Sequence, residues 1–231
     1  MSSALLAEIY GTFLLTFVAT ITITLANDPA TFPAAASLGL GFIGLATGLA
    51  LLAGIASVSH ISGAHFNPVV TVALAYSGSF PRKNVVPYII AQAIGAVIAG
   101  FVQLGMVGIE AGKVKDLGIT VPNAALPLPI FSALLAEIVG TMVLVVTIMG
   151  STDPDSKLPW GSSAIGLSLA ALIWSVGAVS GASLNPARSL GPAVASLVFD
   201  STSLNSYWIY VVGPLLGALL AAELYRRMRV R

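Results

Sequence analysis

Ser57–Pro68 reads SVSHISGAHFNP, and Ser175–Pro186 reads SVGAVSGASLNP. Seven of the twelve aligned positions are identical at an offset of 118 residues. Ala7–Thr12 (AEIYGT) returns as Ala136–Thr141 (AEIVGT) at an offset of 129, and Tyr88 and Gly95-Ala96 return as Tyr210 and Gly217-Ala218 at 122. The matched Glu and Asn-Pro positions are not apolar filler, so the chain is an internal duplication. Asn is a strong N-cap and Pro is favoured at the first helical position. Asn67-Pro68 and Asn185-Pro186 therefore each predict a helix start.

The surroundings of these motifs are apolar. Of 231 residues 57% are hydrophobic and 8% charged, with mean hydropathy +0.96. Soluble domains carry about a quarter charged residues, so an ordinary soluble globule and a disordered chain are both excluded. A net charge of +1 argues against nucleic-acid binding, and the absence of cysteine removes thiolate chemistry and disulfides. A lipid-facing, all-α membrane protein remains. Spans of about 20 apolar residues are expected at about Ala4–Ala26, Ser37–Val58, Val85–Val107, Ile130–Gly150, Ser162–Val179 and Tyr207–Met228. The segments after the two Asn-Pro pairs, to Tyr76 and Leu197, have only about ten residues, too few to cross, and read as half-helices. Residues 1–7 hold no Lys or Arg, which disfavours a signal peptide.

The organisation expected is one domain over 1–231. Repeat 1 covers about 4–107, a polar loop 108–129, and repeat 2 about 130–228. Arg226, Arg227, Arg229 and Arg231, with Arg82, Lys83 and Lys157, would share one side, against Lys113 and Lys115 on the other. Basic residues collect in the cytoplasm, so both termini are expected there, in a multi-pass protein of the cell membrane. Three spans per half make the repeats inverted. Inverted repeats with paired interrupted segments point to a site at the bilayer midplane. The half-helices would enter from opposite faces, bringing their positive N-terminal dipole ends together. Gly63–Phe66 and Gly181–Leu184 are expected as extended backbone, tolerated at that depth only beside protein or a water-filled cavity. Two Asn donors between rows of carbonyls would orient water and interrupt a proton wire.

These residues carry a family likeness. SGAHFNPVVT and SGASLNPARS, with AEIYGT and AEIVGT, resemble the aquaporin (major intrinsic protein) family, its archaeal members most, over essentially the whole chain. The resemblance implies an aquaporin-like bundle of six transmembrane helices plus two re-entrant half-helices. It implies passive passage of water, and of glycerol or other small neutral solutes, in a homotetramer with one pore per subunit and no cofactor. The pore motifs would be Asn67, Pro68, Val69 and Asn185, Pro186, Ala187. The selectivity filter would be Thr47, Ile173, Ala182 and Arg188. The pore-lining carbonyls would come from Gly63, Ala64, His65, Gly181 and Ser183. The sequence departs from the water-channel pattern at three places. Val69 stands for Ala, Thr47 for an aromatic residue and Ile173 for His, which makes a wider, less polar filter. Ser189 is similar to water channels; glycerol facilitators usually carry Asp there.

Charges in a span are costly and mark cavities or partners. Arg188 is read as donating to passing solute and repelling cations; its counterpart in the first half is Val70. Glu8 and Glu137 are either braces for the re-entrant loops or a proton relay, so a proton-coupled transporter stays open beside the channel, as does a non-conducting structural protein. His60 has no repeat mate and reads as structural. Two nearby histidines are too few for a metal site. No nucleophile–base arrangement or phosphate loop suggests an enzyme. Gly11, Gly44, Gly95, Gly140, Gly166 and Gly217 are expected at close helix crossings.

Overall fold

The computed structural model describes residues 1–114, 116–157 and 159–229; Lys115 and Arg231, used above for orientation, lie outside them. The chain runs α1 Ser3–Asn27, α2 Pro33–Ala36, α3 Gly39–Ser62, α4 Pro68–Tyr76, α5 Val85–Gly112, α6 Pro129–Thr152, α7 Gly161–Ser180, α8 Pro186–Ser196 and α9 Ile209–Met228. Among the described residues there is no strand, and six helices (α1, α3, α5, α6, α7, α9) are long and apolar enough to cross a membrane.

Three expectations need correction. The second span does not stop at Val58. It continues to Ser62, where Gly63 takes a left-handed conformation (φ 86°) and returns its N–H to Ser59 O at 2.9 Å. A left-handed glycine is a common helix stop, and the Ser and His before it are compatible with a last turn. The third span keeps one more turn beyond a kink at Gly108 (φ 76°, ψ 172°) and ends at Gly112. Finally, the loop after it is not simply polar. Leu117 is fully buried, Gly118 is buried and Thr120 is 6% exposed, so this stretch dips into the bundle.

The duplication is visible in the packing. α1 packs on α5 as α6 packs on α9, and α3 and α7 cross between the halves. Gly48 and Gly166 are repeat mates, and they face each other at that crossing. A Cβ on Gly48 would lie 2.5 Å from Gly166 O, and one on Gly166 would lie 2.6 Å from Gly48 O. Gly95 and Gly217 sit equivalently against the carbonyls of Ile9 and Ile138. Without an apolar driving force between helices in lipid, such backbone contact supplies the attraction. Leu6, Leu49, Ile94, Phe101, Val139, Leu167 and Leu216 stay exposed, a surface suited to hydrocarbon.

Candidate functional site

The half-helices α4 and α8 meet N-terminus to N-terminus. Asn67 caps α4 by accepting from Val69 N at 3.1 Å, and Asn185 caps α8 by accepting from Ala187 N at 3.0 Å and Arg188 N at 3.3 Å. Each Asn also donates across the junction from its amide nitrogen. Asn67 Nδ2 reaches Leu184 O, and Asn185 Nδ2 reaches Phe66 O, both at 2.8 Å. A side-chain amide has two N–H donors, so one of the two on each Asn is committed to the opposite loop.

The segments before the Asn residues are not extended. Gly63, Ala64 and Phe66 have φ of 86°, 53° and 50°, and Gly181, Ala182 and Leu184 have 83°, 43° and 54°. Left-handed non-glycine residues cost roughly 1–2 kcal/mol each and persist where their surroundings over-determine them. The glutamates supply that constraint. Glu8 accepts from Ser62 Oγ (2.7 Å), His65 N (3.0 Å), Phe66 N (2.8 Å) and Gln92 Nε2 (2.7 Å). Glu137 accepts from Ser180 Oγ (2.8 Å), Ser183 N (2.9 Å) and Leu184 N (2.7 Å). Both are fully buried. In a trans peptide the C=O points opposite to the N–H. With the N–H groups of His65 and Phe66 turned to Glu8, the carbonyls of Ala64 and His65 point away from it. The same holds for Ala182 and Ser183 about Glu137.

Those carbonyl-bearing residues border a cavity of about 1500 Å³. It reaches from Asp153, Tyr225 and Arg229, at the C-terminal ends of α6 and α9, to Ile23 near the end of α1. Gly63, Ala64, His65, Asn67, Gly181, Ala182, Ser183 and Asn185 line it, as do Thr47, Ile173 and Arg188. The lining also has aliphatic side chains, among them Leu15, Leu51, Ile55, Leu144 and Leu169. Val70, the repeat mate of Arg188, is also on the lining. Pro68, Val69, Pro186 and Ala187 are buried in the first turns of α4 and α8, outside the lining. Glu8, Glu137, His60 and Trp174 are outside it too; His60 and Trp174 are exposed on the bundle surface.

Arg188 is buried and donates from Nη1 to Gly118 O at 3.1 Å. Thr47 donates its hydroxyl to Ile43 O at 2.7 Å, within its own helix. The His65 ring packs on Phe80 and Tyr88, with centroids 4.7 and 5.2 Å away, and its Nδ1 lies 3.0 Å from Thr71 Oγ1. Several contributors went unread in the sequence. Tyr88 and Tyr210 donate to Ser62 O (3.0 Å) and Ser180 O (2.7 Å), tying the last turns of α3 and α7. Their repeat correspondence was visible and was the available signal. Gln92, which faces both Glu8 and Thr71, has Pro214 as its mate, so symmetry hid it. Gly118 and Thr120 lie in the loop between halves, where no repeat guides the eye.

The sequence profile described as Major intrinsic protein matches residues 1–225. The chain is 42% identical to aquaporin AqpM of Methanothermobacter marburgensis, covering 96% of this chain and 95% of that protein. It is 40% identical to the probable aquaporin AqpM of Archaeoglobus fulgidus (95% and 94% covered) and 36% identical to aquaporin Z of Rhodopseudomonas palustris (96% and 91%). Among solved structures the aquaglyceroporin from Plasmodium falciparum superposes with a TM-score of 0.86 at 24% identity, over 96% of this chain and 94% of that one.

Proposed function

The chain belongs to the major intrinsic protein family, and from that premise we propose how it works as a passive membrane channel for water and glycerol-sized neutral solutes. It is a channel and not an enzyme. The observation that carries the mechanism is the mixed cavity lining, in which the loop residues Gly63–His65 and Gly181–Ser183 and both Asn residues join aliphatic side chains. A polyol presents its hydroxyls to the polar groups of this lining and its carbon backbone to the aliphatic ones.

Asn67 and Asn185 each keep one N–H for the lumen. A water oxygen that accepts from both turns its own protons outward, towards the carbonyls of Ala64 and His65 on one side and of Ala182 and Ser183 on the other. Its neighbours then point away from the centre in both directions, so a proton cannot be relayed through it. Two helix N-termini add positive potential at the same point and repel cations. Arg188, with Thr47, Ile173 and Ala182, forms the outer filter, which is wide because no aromatic ring is present. The proton-coupled alternative is disfavoured, because Glu8 and Glu137 each accept two backbone N–H bonds from the re-entrant loops and stand off the cavity.

The protein assembles as a homotetramer in the cell membrane with both termini cytoplasmic, in keeping with the exposed apolar faces and the basic C-terminal end. The test is stopped-flow light scattering on proteoliposomes with water and glycerol gradients in parallel. A channel gives fast water flux with a low activation energy and no dependence on a pH gradient. Permeability equal to that of empty vesicles would overturn the reading.

A further inference from the structure

The segment 116–123 between the halves is held at five points. Ser196 Oγ donates to Asp116 O at 2.8 Å, Gln103 Nε2 to Leu117 O at 3.3 Å and Arg188 Nη1 to Gly118 O at 3.1 Å. Asn123 donates twice to the end of α7, from its N–H to Val179 O (3.0 Å) and from its Nδ2 to Ala178 O (2.9 Å). The fifth point is a side chain. Thr120 Oγ1 lies 2.6 Å from Ser189 Oγ, which lies 2.5 Å from Ser183 Oγ, which donates to Asn185 O at 2.8 Å. All three hydroxyls are nearly inaccessible.

The run has a direction. Ser183 gives its one hydroxyl proton to the Asn185 carbonyl, so it accepts from Ser189, and Ser189 accepts from Thr120. In this arrangement Thr120 donates to Ser189, and its hydroxyl also lies beside that of Tyr210. Thr120 and Gly118 are two residues apart, and so their bonds, to Ser189 and to Arg188, bridge the same two stretches of chain side by side. The first half has no equivalent clasp. There Thr71 occupies the place of Ser189 and takes its donor from Gln92 at 3.0 Å.

We infer that Thr120 is a positioning residue of the filter: its hydroxyl registers the 116–123 segment against α8, so that the Gly118 carbonyl holds the Arg188 guanidinium at the cavity wall. Its side chain is absent from the lining, so it acts through Arg188 rather than on solute. The inference rests on the reading of Arg188 as the narrow point, and it uses two independent measurements for that reason. Thr120→Val keeps the shape and removes the donor, whereas Thr120→Ser keeps the donor. Ser189→Ala cuts the same run from the other side and serves if the valine variant fails to fold. Ser203→Ala, which removes a bond to Ala193 O at 2.7 Å further along α8 and leaves the 116–123 segment untouched, is the control.

Amide hydrogen exchange on the purified protein should quicken in 117–123 and 187–189 by roughly threefold to tenfold in Thr120→Val, the equivalent of one lost hydrogen bond, and return in Thr120→Ser. In proteoliposomes, freeing Arg188 should raise the glycerol-to-water permeability ratio by a similar factor, again restored by serine and unmoved in Ser203→Ala. Unchanged exchange in both Thr120→Val and Ser189→Ala overturns the positioning role. Faster exchange with an unchanged ratio overturns the link to selectivity. Wild-type vesicles as impermeable as empty ones would overturn the channel reading instead, with exchange still deciding the role of Thr120.

Discussion

Asn67 donates its side-chain amide to the backbone carbonyl of Leu184 at 2.8 Å, across 117 positions of sequence, and Asn185 returns the same bond to Phe66. Each Asn thus ends one half-helix and fastens the other half's loop. The two halves are locked at the point where their dipoles repel each other, so the junction needs these ties to stay closed.

Asn67→Ala is expected to lower the thermal unfolding midpoint of the detergent-solubilised protein. It removes an N-cap worth about 1 kcal/mol and leaves the buried Leu184 carbonyl without its donor, a cost of about 1–3 kcal/mol. An unchanged midpoint would mean that water replaces the amide at the junction.

Glu8→Gln and Glu137→Gln separate bracing from proton relay. Both carboxylate oxygens of each glutamate receive a backbone N–H. Either orientation of a glutamine amide sets its NH₂ against one of those donors. Each variant should lose stability, about 1.5–3 kcal/mol for a hydrogen bond to a charged group. Glu8→Gln also faces the Gln92 amide. A relay would instead predict normal stability with lost flux.

The repeat made the spans, the half-helices and both glutamates legible, because a duplicated polar residue in an apolar background has few explanations. The positive φ values of Ala64, Phe66, Ala182 and Leu184 were not legible. Left-handed alanine, phenylalanine and leucine run against local preference and exist only because Glu8 and Glu137 hold the neighbouring N–H groups. Thr120 was hidden for another reason. Its partner Ser189 is 69 positions away in α8, and Thr120 itself sits in a loop whose composition reads as solvated.

Close helix approach gives a stability prediction with an internal control. A methyl on Gly166 would press on the Gly48 carbonyl and on Leu52 Cβ, at 2.6 and 3.0 Å. Backbone cannot move aside as a side-chain tip can, so Gly166→Ala should cost about 1–3 kcal/mol. Gly41→Ala meets nothing within 4 Å and should be near neutral. Equal midpoints for the two would show that α3 and α7 separate without penalty.

Acid should loosen one mouth of the cavity. The Asp153 carboxylate accepts from Asp155 N at 3.0 Å and from the Tyr225 hydroxyl at 2.8 Å, with Arg229 Nε at 3.1 Å. These hold its carboxyl below the usual carboxylate range. A depressed folded value means that the tie is intact above the ordinary pKa of about 3.9 and is lost as pH falls through the lower folded value. Protease sensitivity of the C-terminal segment should therefore stay flat from neutral pH to mild acid and rise only below that range. Arg229 is half exposed, so Arg229→Ala should have a small effect at neutral pH. A rise in sensitivity already near pH 6 would assign the transition to another group.

Thr47→Phe tests the width of the proposed filter. Thr47 lines the cavity with Ile173, Ala182 and Arg188, and its hydroxyl is committed to Ile43 O, so it offers passing solute little hydrogen bonding. An aromatic ring there occupies lumen that a polyol needs and a single water does not. Glycerol flux should fall by about tenfold relative to water flux, which corresponds to about 1.4 kcal/mol added to the larger solute's barrier. The parallel proteoliposome assay reads both rates from one preparation, so a fall in active protein lowers both together and leaves their ratio unchanged. A ratio unchanged in well-folded protein would place the constriction elsewhere along the cavity, and the Asn67–Asn185 junction would become the next position to narrow.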